Sequence, residues 1–258
     1  MTRRAAADRD DARDPRRAST PLEILFEDNH IIAVEKPPGV LSQADATGGP
    51  DLLTLIKRHI KQRDSKTGNV FLGLVHRLDR NTGGAMVFAK TSKAAARLSA
   101  QIRERAFEKT YLAVVEGTPR PERGRLEHVL EKDASENVVT VRAPADDDGA
   151  SSRGRHAVLD YETLATREGR SLVRVRLVTG RTHQIRAQLA AIGTPIVGDR
   201  KYGAAGARAA AIALWSASLR FRHPTRDEAV VVQSAPPPDA LWRPFAADAM
   251  RIAPRGRA

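Results

Sequence analysis

The sequence predicts an α/β (α+β) domain built on a mixed, mainly antiparallel central sheet with flanking helices. Short β-branched runs and longer amphipathic runs share one chain, and they intersperse without the regular alternation that builds a parallel sheet. With 258 residues, 41% of them hydrophobic, the chain is long enough to bury a core. No run approaches the ~18 uninterrupted apolar residues of a membrane-spanning helix, so no membrane association is expected.

From the N-terminus, residues 1–20 hold six arginines and four aspartates and no large apolar residue after Met1. That is the composition of a disordered basic tail, and its lack of an apolar middle argues against a secretory signal and for a cytoplasmic protein. Pro21 to Phe26 and Ile31 to Glu35 flank the turn-forming Asp28-Asn29-His30, which predicts a hairpin ended by Lys36-Pro37-Pro38-Gly39. Leu52 to Ile60 and Lys93 to Arg105 have helical spacing, the second capped by Ser92 with Ala96, Leu98 and Ile102 facing inward. Strands are expected at Ala85 to Ala89, Tyr111 to Glu116, His156 to Leu164 and Leu172 to Leu177. His183 to Ile192 reads as a helix with Gly193 as its C-terminal stop. Residues 145–155 and 203–206 read as loops. The folded domain is expected to span residues 21–246, followed by a basic C-terminal tail over 247–258.

Cysteine is absent, which removes disulfides, thiolate nucleophiles, cysteine-bound zinc and iron–sulfur clusters. The sequence also lacks His-Glu-x-x-His, a G-x-x-x-x-G-K-[ST] phosphate loop and a G-x-S-x-G elbow. No metal or cofactor site is therefore predicted. Forty-three Lys plus Arg against 31 Asp plus Glu give a formal +12, and only nine of those cations are lysine. Arginine's planar fork suits phosphates and bases, so nucleic acid is the leading partner, although a GC-rich coding sequence would give the same composition.

Four segments combine charge with glycine or proline inside apolar surroundings: Ile32 to Gly39, Gly73 to Gly84, Lys109 to Gly117 and Gly180 to Arg186. In the second, Asp79 stands between Arg77 and Arg80, a setting that favours an ionised carboxylate. Taken singly, each residue has an ordinary reading. Asp79 suits an ion pair or turn cap, Arg77 and Arg80 a solvated surface, Tyr111 a core position, and Arg186 a snorkelling side chain.

Together the segments resemble, in order and spacing, the RluA-type pseudouridine synthase family, which converts selected uridines in RNA to pseudouridine. The resemblance rests on His76-Arg77-Leu78-Asp79-Arg80-x-Thr82 and, about a hundred residues on, Gly180-Arg181-Thr182-His183-Gln184-Ile185-Arg186. It includes Gly198-Asp199-x-x-Tyr202-Gly203 and Phe221-x-His223-Pro224, and so covers Leu22 to Phe245. It implies a pseudouridine synthase fold with Asp79 as the catalytic carboxylate, acting either on C1′ or on the 2′ proton. It also implies Arg186 as the partner of Asp79, and Tyr111 as a ring stacked on the uracil with a part in removing the C5 proton. Arg77 would hold the gap left by a flipped nucleotide. Arg80, Lys109 and Arg181 would contact phosphate or support the pocket, and His183 would pack near the helix start. The family uses no redox cofactor. The implied partner is large-subunit ribosomal RNA or tRNA, with a monomer the simpler expectation.

Three departures stand out. Thr82-Gly83-Gly84 replaces a frequent Thr-Ser-Gly, and Leu214-Trp215-Ser216 replaces a common Leu-His-Ala. Many relatives carry an S4-type RNA-binding domain ahead of the catalytic one, whereas only about twenty residues precede the first strand here, so substrate choice is expected to rest with the catalytic domain and its tails. The competing reading is a non-catalytic RNA-binding or ribosome-assembly protein with the same basic surface. A glycoside-cleaving enzyme is disfavoured because no second acid accompanies Asp79 in these motifs.

Overall fold

The computed structural model describes residues 22–46, 48–133, 135–144, 154–203 and 211–253. It opens on the expected hairpin, β1 (Ile24–Glu27) and β2 (Ile31–Lys36). Asp28 makes the turn, its Oδ1 accepting from the amides of His30 at 2.7 Å and Ile31 at 2.9 Å. Helix α1 (Leu52–Arg63) starts where Asp51 accepts from the Thr54 amide, and it buries Leu52, Ile56 and Ile60 on one face.

After β3 (Gly73–Leu74) comes β4 (Gly83–Ala89), buried along its whole length. Helix α2 (Ser92–Arg103) is capped by Thr91 rather than Ser92, because the Thr91 hydroxyl reaches the Ala94 amide three residues on. Its inward face is accordingly Ala94 and Leu98, with Ile102 at the edge, while Ala96 is exposed.

The remaining strands are β5 (Glu108–Glu116), β6 (Arg123–Asp133), β7 (Val138–Arg142), β8 (Arg155–Arg167) and β9 (Arg170–Leu177), then β10 (Leu214–Arg222) and β11 (Ala229–Gln233) beyond helix α3 (Gln184–Ala191). They form one eleven-stranded sheet in the order β1-β2-β4-β10-β5-β9-β8-β6-β7, with β3 on β4 and β11 on β10. Every pairing is antiparallel except the short parallel contact of β4 with β10, which agrees with the mixed, mainly antiparallel sheet expected.

That parallel contact is a tight seam in which Trp215 pairs with Gly83 and Ser216 with Gly84. A Cβ on Gly83 would lie 2.1 Å from the Trp215 indole, and one on Gly84, at φ +108°, would lie 2.3 Å from the Ser216 carbonyl oxygen. The two departures from the family pattern are thus one packing unit: a bulky indole needs the bare backbone opposite it. Trp215 is fixed from behind, its Nε1–H donating to the Ser234 carbonyl and hydroxyl at 3.0 Å.

Beyond the sheet, helix α4 (Ala246–Ile252) corrects the expected tail boundary at residue 247. Asp248 and Ala249 are buried there, Asp248 pairs with Arg167 at 2.6 Å, and the Arg167 guanidinium lies over Phe245. Residues 1–20 and 254–258 lie outside the described residues, as do most of the loops expected at 145–155 and 203–206. Among the described residues no helix is long and apolar enough to cross a membrane.

Candidate active site

The segment between β3 and β4 carries Asp79 on a loop held from below. The Ser42 hydroxyl donates to the Leu78 carbonyl at 2.8 Å and receives the Leu78 amide at 3.1 Å. Lys36, with 0% of its surface exposed, spends its ammonium on three carbonyls: Pro37 at 3.1 Å, Val40 at 2.7 Å and Arg80 at 3.0 Å. Burial pushes its pKa down to about 7 against the opposing charge of Asp79. The amide of Gly39, a residue at φ +88°, completes the support by donating to the Arg80 carbonyl.

Asp79 meets Arg186, whose Nη1 donates to Oδ2 at 3.1 Å. Arg186 is 7% exposed and is itself clamped by Asp199, 1% exposed, through Nε to Oδ2 at 2.6 Å and Nη2 to Oδ1 at 2.9 Å. Burial alone would lower the pKa of Arg186; the hydrogen bonds and charges of Asp199 and Asp79 overcome it and raise the value. One planar guanidinium therefore binds two carboxylates, with two of its nitrogens anchored and the third presented to Asp79.

Helix α3 begins at Gln184, one residue later than expected, because His183 sits in the left-handed region at φ +52°. The Gln184 carboxamide fixes the preceding turn by accepting from Thr179 and from the Arg181 amide and donating to the Val158 carbonyl. His183 turns toward the site, with Nε2 3.8 Å from Asp79 and Nδ1 2.8 Å from the Tyr202 hydroxyl. Burial lowers its pKa, outweighing Asp79. Tyr202 faces the Arg186 guanidinium at 5.2 Å.

Tyr111 reaches the same cleft from β5, buried to 5% exposure. Burial first and then the charge of Asp79 push its phenol far above the ordinary range, against a hydrogen bond with Ser216. The cleft has a volume of about 910 Å³, and Asp79, Tyr111 and Arg186 share it with Arg77, Lys109, Arg181 and His183. Arg80 is not among its lining residues; its Nε donates instead to the Gly39 carbonyl at 3.1 Å. Sequence reasoning assigned no role to Lys36, Ser42, Asp199 or Tyr202, although three of them stood inside recognised segments. Buried charges need partners, so the signal for Asp199 was the need of Arg186 for a second carboxylate once Asp79 took only one nitrogen. Among the described residues, no group of three or more His, Asp and Glu could hold a metal. The arrangement presents an oriented carboxylate beside a fixed guanidinium and a neutral phenol ring.

The family model described as RNA pseudouridylate synthase matches residues 30–191. An uncharacterised RNA pseudouridine synthase of Bacillus subtilis, YhcT, is 34% identical over 220 residues, covering 84% of this chain and 70% of the relative. The ribosomal large subunit pseudouridine synthase D of Zymomonas mobilis is 35% identical over 231 residues, covering 85% and 70%. In fold, the human RNA pseudouridylate synthase domain containing 4 aligns with a TM-score of 0.70 at 22% identity, over 89% of this chain and 92% of that one. Similarity that runs through both motif segments and across most of either chain settles the family: this chain belongs to the RluA-type RNA pseudouridine synthases, which isomerise uridine in RNA.

Proposed function

We propose that Asp79 is the catalytic carboxylate of this isomerisation, acting on specific uridines of large-subunit ribosomal RNA, with tRNA as the alternative substrate. The observation that carries the reading is the 3.1 Å contact of Asp79 with a guanidinium that Asp199 already holds rigid. It sets a carboxylate against a fixed positive charge and aims it into a cleft large enough for a flipped nucleotide. The ribosomal preference is supported by the large-subunit name of the Zymomonas relative.

In the reaction the N1–C1′ bond breaks, a C1′–C5 bond forms, C5 loses a proton and N1 gains one. Atoms and electrons balance without an external reagent, so no cofactor is needed. Asp79 starts the sequence by attacking C1′ or by taking the 2′ proton. Tyr111, held neutral by burial, is suited to stacking on the uracil, and the C5 proton leaves to solvent as N1 takes one up. Arg77 holds the space vacated by the flipped nucleotide, and Lys109 and Arg181 contact the backbone beside it. Arg80 serves the loop of Asp79. The enzyme acts as a cytoplasmic monomer.

The test is to treat RNA from a strain lacking the gene with wild-type protein or Asp79→Ala and map pseudouridine. The reading expects sites restored by wild type alone. Identical maps that both contain the new sites overturn the role of Asp79, and identical maps with none favour the non-catalytic RNA-binding alternative.

A further inference from the structure

We infer that Arg103 and Arg105, at the end of α2, form with Arg77 a clamp for backbone phosphates of the RNA strand beside the target nucleotide; this rests on the proposed function and extends its binding surface. All three residues line the cleft that holds Asp79. All three are exposed, and among the described residues none of their side chains has an ion pair or hydrogen bond. Elsewhere on the sheet arginines find acids: Arg125 binds Asp160 at 2.8 Å and Arg170 binds Glu116 at 3.3 Å. Guanidinium groups left unpaired at the mouth of a cleft, with Glu104 and Glu108 the acids nearby in sequence, are available to an external anion.

The backbone fixes where Arg105 stands and which substitution it tolerates. Helix α2 ends in a Schellman turn, the Arg105 amide donating to the Ile102 carbonyl at 3.3 Å and the Ala106 amide to the Gln101 carbonyl at 2.9 Å. The residue after the C-cap of such a turn is usually glycine, yet Arg105 stands there at φ +59°. Arg105 is one of five non-glycine residues at positive φ among the described residues, and glycine would fill its position without strain. Phe107, two residues on, is stacked on Phe221 at 4.9 Å, so the turn that carries Arg105 is anchored to the sheet.

The same strain supplies the test. Arg103→Gln/Arg105→Gly removes two charges while replacing Arg105 by the residue its backbone prefers, so the melting temperature should not fall. Binding to fluorescein-labelled single-stranded oligouridine is measured across a KCl series, with Asp79→Ala in every protein so that the result does not depend on turnover. Two lost phosphate contacts should reduce the slope of log affinity against log salt by about 1.4 and weaken low-salt affinity roughly tenfold. A control pair, Arg120→Gln/Arg123→Gln, lies on exposed residues outside the cleft and should change the slope far less. An unchanged slope in the cleft variant, or an equal change in the control, overturns the clamp. Neither result bears on whether Asp79 turns uridine over, which the pseudouridine map decides separately.

Discussion

Arg186 and Arg105 line one cleft and carry the same charge, yet the fold treats them in opposite ways. Arg186 is buried, and its guanidinium binds Asp199 twice and Asp79 once. Arg105 is exposed at a strained turn, and its side chain has no partner among the described residues. On the proposed reading, the difference separates two tasks. A group that must hold a reacting carboxylate to within fractions of an ångström needs every nitrogen anchored, because a misplacement of about 1 Å can cost a hundredfold in rate. A group that meets a mobile polyanion needs reach and charge, and its contribution is screened by salt.

Substitutions inside should therefore damage turnover or stability and leave the salt slope alone. Asp199→Asn has the largest expected effect: it strips the anchoring charge from Arg186, and kcat should fall roughly a hundredfold while RNA affinity stays within about threefold. Comparable losses in both would collapse the contrast between floor and rim. Lys36→Met comes next, since it leaves the carbonyls of Pro37, Val40 and Arg80 without their shared donor; at about 1–3 kcal/mol for an unsatisfied buried group, thermal unfolding should show a clear loss. Gly83→Ser drives a side chain into the Trp215 indole and should cost about 1–3 kcal/mol, as overpacking does. Adding Trp215→His should recover part of that loss, and a strictly additive double variant would deny that the seam is one unit.

A further prediction concerns pH. His76 is buried, and its Nε2 accepts from the Val87 amide at 3.1 Å. Burial, reinforced by Lys109, lowers its pKa to about 3 from an ordinary 6.5. Between those values the unfolded chain binds a proton that the folded chain refuses, so stability rises with pH through that window and falls on acidification. His76→Gln, which keeps an acceptor for Val87, should flatten that limb in denaturant titrations followed from pH 7 downward.

The parts of the molecule legible in sequence are those where period or motif is local. The β1–β2 turn at Asp28, the helical spacing of α1 and the buried run of β4 could each be read from a few neighbouring residues. Strands β6 and β7 escaped because their charged residues, such as Arg125 and Glu131, pair across the sheet surface with Asp160 and Arg142, and cross-strand partners have no local signature. Helix α4 escaped because it is short, and Asp248 is buried there through Arg167, which is remote in sequence. The same distinction holds at the site. Asp79, Tyr111 and Arg186, which share the cleft, stand in motif segments, whereas the support from Lys36 and Ser42 depends on the Arg80 and Leu78 carbonyls, remote in sequence. Gly83 and Trp215 looked like two unrelated departures until the parallel seam placed one against the other.

The most direct test of the central claim uses RNA labelled with tritium at C5 of uridine, incubated with wild-type protein and with Asp79→Asn, alongside a binding measurement on both. Wild type should release tritium as C5 is joined to the sugar, and Asp79→Asn should bind the RNA with similar affinity and release none. Equal release by the two proteins would contradict a catalytic Asp79.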